Sequence, residues 1–322
     1  MTHLLGSYRY RESFMRNVAT ATFFVLAVTC GLAPAQEQFS PHLRFVKGDV
    51  QHIKVTLGQT IDQVVKDAKQ HITQTTVIGS TLAVDDVDPN GTASLTVRFE
   101  SVSFTAHTPS GPVEYDSTNP PGLVPPAVST LAALVGQAYS AKIDARGIVK
   151  EVDGLPGLSD TLLSRLNSTE GVARIAAEKA LRQELNEQNL MQNLQNLFFP
   201  LPDHPVSIGD NWLRATQVNL GLPLTVRSTY TLLSRTAGVA TVEITGKVTT
   251  AQDAGMDLGP MKLTYDLQGD QNGSLQITES TGQTPNAEIS QHLSGSATLR
   301  GPNTDPQTVS VTIDSTIKVE RK

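Results

Sequence analysis

Apolar and polar residues alternate over most of the chain. His52-Ile53-Lys54-Val55-Thr56-Leu57 places an apolar side chain at every second position, the mark of a strand with one buried face. Residues 72–84 are rich in Thr, Val and Ile, which favour extended backbone. Asp88-Pro89-Asn90-Gly91 then predicts a turn, because Asn-Gly tolerates the positive φ of tight hairpins. Leu95-Thr96-Val97-Arg98-Phe99 returns as the second strand of that hairpin. Pro109, Pro112, Pro120, Pro121, Pro125 and Pro126 crowd 109–126, a density that predicts an ordered loop or linker without regular sheet or helix. A short helix is expected at 127–137, followed by strands at 138–143 and 148–152 that turn at Asp144-Ala145-Arg146-Gly147.

The period changes in the middle of the chain. Residues 158–198 hold no proline, and Val172, Ile175 and Ala176, then Leu190, Leu194, Leu197 and Phe198, recur at steps of three and four. A helical segment over 158–199 follows, broken at Gly171, stopped by Pro200 and Pro202, with its apolar stripe facing a core. Beyond Pro205 alternation resumes, with strands expected at 225–233, 239–248, 258–267, 274–278, 287–299 and 309–319. Ala237-Gly238 reads as a turn, and so does Asn272-Gly273. The fold class is mainly β (α+β): antiparallel sheets with a helical insert near 158–199, divided as 36–157, 158–199 and 200–322.

An internal echo suggests two repeated β units. Phe45-Val46-Lys47-Gly48-Asp49 parallels Val206-Ser207-Ile208-Gly209-Asp210, each introducing a strand. Gly91-Thr92-Ala93-Ser94-Leu95-Thr96-Val97 likewise parallels Gly238-Val239-Ala240-Thr241-Val242-Glu243-Ile244. Val113-Glu114-Tyr115-Asp116-Ser117, Leu134-Val135-Gly136-Gln137, the run 144–152 and Pro205-Val206-Ser207-Ile208-Gly209-Asp210-Asn211-Trp212 carry a family likeness. On these residues the chain resembles an uncharacterised family of exported bacterial proteins, a domain of unknown function whose most specific piece is Pro-Val-x-x-Gly-Asp-x-Trp. The resemblance implies export and a β-rich body. It implies no activity and no catalytic residues.

The first residues support export. Arg9, Arg11 and Arg16 stand against Glu12, an apolar run covers 18–32, and Ala33-Pro34-Ala35 offers a cleavage site, so 1–35 reads as a secretory signal peptide. Met15 offers a second start for the same signal. Cys30 is the single cysteine; Thr29 before it makes a poor lipoprotein signal, and cleavage after Ala35 removes it. The 287 residues that remain then have no thiol for disulfides, catalysis or metal. Their net charge is −8 with no basic cluster, which argues against nucleic acid as a partner. Eleven aromatic residues in that length are few for a platform that stacks sugars or bases.

Candidate chemistry is sparse. Asp86-Val87-Asp88-Pro89-Asn90-Gly91 opens like a calcium loop, but Val97 stands where the closing Glu belongs and Glu100 comes three residues late. His42, His52, His71, His107, His204 and His292 have no zinc-type spacing. A nucleophile elbow, a phosphate-binding loop and a dinucleotide fingerprint are all absent from the sequence. Asp203 and Asp210 lie near Trp212, but Gly48-Asp49 and Gly209-Asp210 read as strand entries, and the sole tryptophan reads as core. Asn90, Asn167 and Asn272 head glycosylation triplets that count as chance matches in a bacterial chain. No catalytic, cofactor-binding or metal residue is assigned. The expectation is a non-enzymatic, exported binding protein of the envelope or exterior that holds an apolar small ligand between a curved sheet and helices. The alternatives are a scaffold that docks another envelope protein through strand edges or 109–126, and a hydrolase with a dispersed site.

Overall fold

The computed structural model describes residues 38–65, 68–122, 124–125, 128–154, 187–219, 223–251, 254–258, 261–302 and 305–322. The expected signal peptide, with Cys30, and the first part of the expected helical segment lie outside the described residues. Residues 37–322 form one compact unit. Its strands are β1 (Val50–Val65), β2 (Ala68–Val87), β3 (Ala93–Thr108), β4 (Gly111–Asp116), β5 (Ala138–Ile143), β6 (Val149–Asp153), β7 (Asn211–Asn219), β8 (Pro223–Thr236), β9 (Val239–Thr250), β10 (Gly255–Leu258), β11 (Met261–Thr278), β12 (Asn286–Arg300) and β13 (Gln307–Arg321). The described helices are α1 (Ser129–Leu134) and α2 (Glu187–Leu197).

Every strand joins one antiparallel sheet, in the order β6-β5-β3-β2-β1-β13-β12-β11-β9-β8-β7, with β4 on β3 and β10 on β11. The two expected β units are therefore one sheet, joined where β1 pairs with β13 from Ile53↔Arg321 to Gln63↔Val311. Both echo motifs lead into a three-strand meander, β1-β2-β3 after Asp49 and β7-β8-β9 after Asp210. The Gly-Asp entry works locally: Gly209 has φ +93°, and Asp210 Oδ2 accepts the Ser207 N–H at 2.9 Å.

The sheet curls until its two ends meet on α2. Leu190 and Leu194 of that helix are buried in a core shared by Ile143 and Val152 of one end and Trp212 and Leu232 of the other. Gln195 donates to Gly147 O at 2.6 Å and accepts the Val149 N–H at 2.9 Å, while Gln192 donates to Gln217 Oε1 of β7 at 3.1 Å. Residues 39–45 run beneath this end with alternate side chains buried. There Phe39 pairs with Val206, Leu43 N donates to Ala145 O and Arg44 N to Thr281 O. Arg321, 9% exposed, adds a central tie from β13: it donates to Leu197 O at 2.9 Å and to Gln51 Oε1 at 3.2 Å, over the Phe198 ring. No carboxylate neutralises it among the described residues. The carbonyl end of α2 and the ring face supply the negative potential instead.

Two expectations are corrected. Within 109–126, residues 111–116 are strand β4, with Pro112 opposite His107. An edge strand has half of its N–H groups free of sheet partners, so a proline fits there. The expected strands 258–267 and 274–278 are not separated: β11 runs unbroken from Met261 to Thr278, and Asn272-Gly273 is mid-strand, not a turn. The physical reason is close strand approach. A Cβ on Gly269 would lie 1.8 Å from His292 O, and one on Gly273 would lie 2.3 Å from Glu288 O.

Candidate functional site: the inward face of the sheet

Strand alternation gives the sheet two chemically opposite faces. The outward face carries charged pairs on facing residues: His71–Asp62 at 2.8 Å, His292–Asp314 at 2.7 Å, Lys142–Glu151 at 2.7 Å, Lys318–Glu288 at 3.1 Å, and the pairs Lys54–Glu320 and Lys247–Asp270. The inward face is apolar at most positions and is organised as three clusters. The largest fills the end closed by α2. A second, with Leu224, Val226, Val248, Leu267, Leu293 and Val311, lines the opposite end. The third joins Val102 and Tyr115 to Val128 and Leu131 at α1, covering the β2-β3-β4 flank.

Between the clusters, one row of polar side chains crosses the inward face at right angles to the strands. Its members follow the register: Arg214 (β7) faces Ser228 (β8), which faces Gly246 (β9), then Gln271 (β11), Gln291 (β12), Ser315 (β13), Gln59 (β1) and Gln74 (β2). Gln291 Nε2 donates to Gln271 Oε1 at 3.1 Å, and Gln271 Nε2 to Ser228 Oγ at 2.7 Å. Across the centre, Gln59 Nε2 donates to Ser315 Oγ at 3.4 Å and Gln74 Nε2 to Gln59 Oε1 at 2.6 Å. The Gln271–Ser228 bond skips strand β9. It forms because Gly246 has no side chain; a Cβ there would sit 3.1 Å from Gln271 Cγ. Ser228, Gln271, Gln291 and Ser315 are buried, so their mutual bonding offsets desolvation. Gln59 and Gln74 are only half-buried, as are Leu57 and Ile72 beside them.

The residues considered from sequence are scattered over other surfaces. In the 86–91 loop, Asp88 Oδ1 accepts the N–H groups of Asn90 and Thr92, each at 2.8 Å, and Asp86 pairs with Lys47 at 3.1 Å. His42 bonds Ser40 O, while His71, His204 and His292 each pair with a different aspartate. Asp203 binds His204 and Arg214, and Trp212, 3% exposed, donates to Pro200 O at 2.9 Å and stacks on Tyr230. Among the described residues, no group of three metal-ligating side chains occurs. Every described carboxylate with a shifted pKa is shifted down. His204 and then Arg214 lower Asp203; hydrogen bonds from Arg235 lower Glu279. Burial pushes the Tyr139 phenol up, and pushes Tyr230 up to about 12.

The amide row was missed in the sequence, although its signal is present. Gln59 stands between Leu57 and Ile61, Gln291 between Ile289 and Leu293, and Ser315 between Ile313 and Ile317. Each is a polar break in an apolar every-second-residue stripe.

The model of a family of unknown function, DUF6263, matches residues 90–284. No curated protein matches the sequence. Among solved structures, lipovitellin, in a structure concerned with its lipid–protein interactions, is similar at 10% identity and TM-score 0.47. That match covers 87% of this chain, which spans 25% of the lipovitellin chain. OccK7 (OpdD) of Pseudomonas aeruginosa is similar at 6% identity and TM-score 0.24, over 86% of this chain and 99% of that one. OccAB3 of Acinetobacter baumannii is similar at 9% identity and TM-score 0.18, over 85% and 100%.

Proposed function

We propose that this chain, which belongs to the family of unknown function DUF6263, is an exported, non-enzymatic binding protein that holds an apolar small molecule against the inward face of its sheet. The observation that carries this reading is the contrast between the faces. Charged pairs cover the outward side and suit water; on the inward side, half-buried Leu57, Ile61, Ile72 and Ile78 flank the amide row. A membrane-spanning barrel has the reverse pattern, with an apolar band outside and polar residues within. Export rests on the basic start, the apolar run and Ala33-Pro34-Ala35. The lowered pKa values of Asp203 and Glu279, which make these two carboxylates weaker bases, are consistent with a non-enzymatic role.

The test is native mass spectrometry of the protein isolated from the periplasm or medium, followed by solvent extraction and titration with an apolar fluorescent probe. A stoichiometric apolar adduct, or saturable uptake of one probe per chain, is expected. A protein that melts cooperatively yet takes up no apolar probe defeats the reading.

A docking role is the second reading, and one observation favours it. Strand β7 ends the sheet order, and Leu213 on its outward face is 68% exposed; Ile208 before β7 and Leu233 on β8 are exposed as well. Crosslinking to an envelope protein that is lost on Leu213→Lys supports it; crosslinking that persists removes this patch.

A further inference from the structure

We propose that the half-buried end of the amide row, Gln59 and Gln74, recognises the polar group of an elongated, uncharged amphiphile whose tail lies toward the closed end of the sheet. This rests on the binding role proposed above and specifies its ligand class.

Three observations lead to it. First, a row of amides and hydroxyls in the middle of an apolar face is costly unless each group is hydrogen-bonded. The buried half meets that need internally, through Ser228, Gln271 and Gln291. The other half stops short: Gln74 bonds Gln59 at one end of its amide, and the facing residue on β3 is Ala106, which has no polar side chain. One end of the Gln74 amide is therefore unengaged by the described residues.

Second, the row itself lacks any carboxylate, and its one charged member, Arg214, lies at the far β7 edge, where Asp203 and Leu201 O engage it. An amide row recognises a neutral hydrogen-bonding group, since it offers neither a counter-ion nor a metal ligand.

Third, on β1 and β13 the inward positions next to the row on the side toward the closed end are apolar, while on β2 Thr76 and then Ile78 follow Gln74. From Gln59, the inward positions are Leu57 and Val55, and Ile317 lies opposite Leu57 on β13. Four residues of strand give roughly 13 Å of apolar wall. Leu57 and Val55 are half-buried, whereas Ile53 beyond them is sealed in the core. A polar head at the row with a tail along this wall places each part of the ligand against matching chemistry.

The test compares two probes of the same chain length, palmitamide and hexadecane, delivered from cyclodextrin to the full protein and followed by native mass spectrometry and competition with a fluorescent probe. The wild type is expected to bind palmitamide about tenfold more tightly than hexadecane, the free-energy scale of one to two added hydrogen bonds. Gln59→Leu with Gln74→Leu keeps side-chain bulk and is expected to bring palmitamide to the hexadecane level while hexadecane affinity stays within about twofold. Gln74→Ala alone tests the same point without adding an apolar group, and should reduce the preference. Equal affinity of the two probes in the wild type overturns the proposal and leaves the binding role standing, as does a preference that survives in both variants. Failure of both probes to bind the wild type overturns the binding role itself and the proposal with it.

Discussion

Gly246→Ala is the sharpest probe of the inward row. The added Cβ would sit 2.7 Å from Arg227 O, a backbone atom fixed by the β8-β9 ladder, and 3.1 and 3.2 Å from Cγ and Nε2 of Gln271. Two costs follow. Overpacking against backbone that cannot retreat is worth about 1–3 kcal/mol. Gln271 must then swing aside and lose its 2.7 Å bond to Ser228, which leaves buried polar groups unpaired at about 1–3 kcal/mol. Taking about 3 kcal/mol in total, the melting temperature should fall by roughly 6–12 °C for a domain of this size. The assay is thermal and urea unfolding of wild type, Gly246→Ala, Gln271→Ala and the double variant. Removing the Gln271 side chain gives the new methyl room, so the double variant should cost about 1–2 kcal/mol less than the sum of the singles. Additivity within about 0.5 kcal/mol, or a Gly246→Ala cost below that, refutes the account of a glycine that clears a path across β9.

Four further outcomes are expected. Gln195→Ala removes two bonds that tie α2 to Gly147 and Val149, so amide exchange in β6 should rise well before global unfolding, read by hydrogen–deuterium exchange. Glu279 is held below the usual carboxylate range by hydrogen bonds from Arg235 at 2.9 and 2.8 Å, so its stabilisation is full at neutral pH and is lost as pH falls through that lowered value. Glu279→Gln should therefore cost about 1 kcal/mol at neutral pH and almost nothing in strong acid, measured by urea unfolding at both. The sole tryptophan, Trp212, should emit in the blue and resist iodide quenching in the native protein, and lose both properties with unfolding. Gly269→Ala meets His292 O at 1.8 Å and should disrupt the β11-β12 pairing outright, seen as loss of soluble folded protein.

Much of the architecture was legible because a single buried face imposes period-two alternation. That signal located the strands β1, β3, β8, β9, β12 and β13, while β-branched content marked β2 and Asn90-Gly91 marked the hairpin between β2 and β3. The apolar spacing of Leu190 and Leu194 identified the buried side of α2. The failures share a cause: Gly, Asn and Pro were read through local turn chemistry, whereas their use here is tertiary. Gly269 and Gly273 admit the neighbouring backbone, and Pro112 sits on an edge that leaves N–H positions unpaired. The site was illegible for another reason. Its row is made of one residue from each strand it crosses, and only the register of the assembled sheet brings Gln59, Gln74, Gln271 and Gln291 onto one line.

The junction of β1 with β13 constrains how the molecule is made. Ile53 and Arg321 are neighbours in the sheet although 268 positions separate them in sequence, so the first long strand lacks its second partner until the last one has been synthesised. Pairings this distant close slowly, because so much chain must be ordered before they form. The β1-β2-β3 meander can assemble early, but it then presents β1 as an open edge on which another copy could add. Concentration-dependent misassembly should therefore peak in refolding rather than in the finished protein, and truncation just before β13 should yield aggregates rather than a smaller stable sheet.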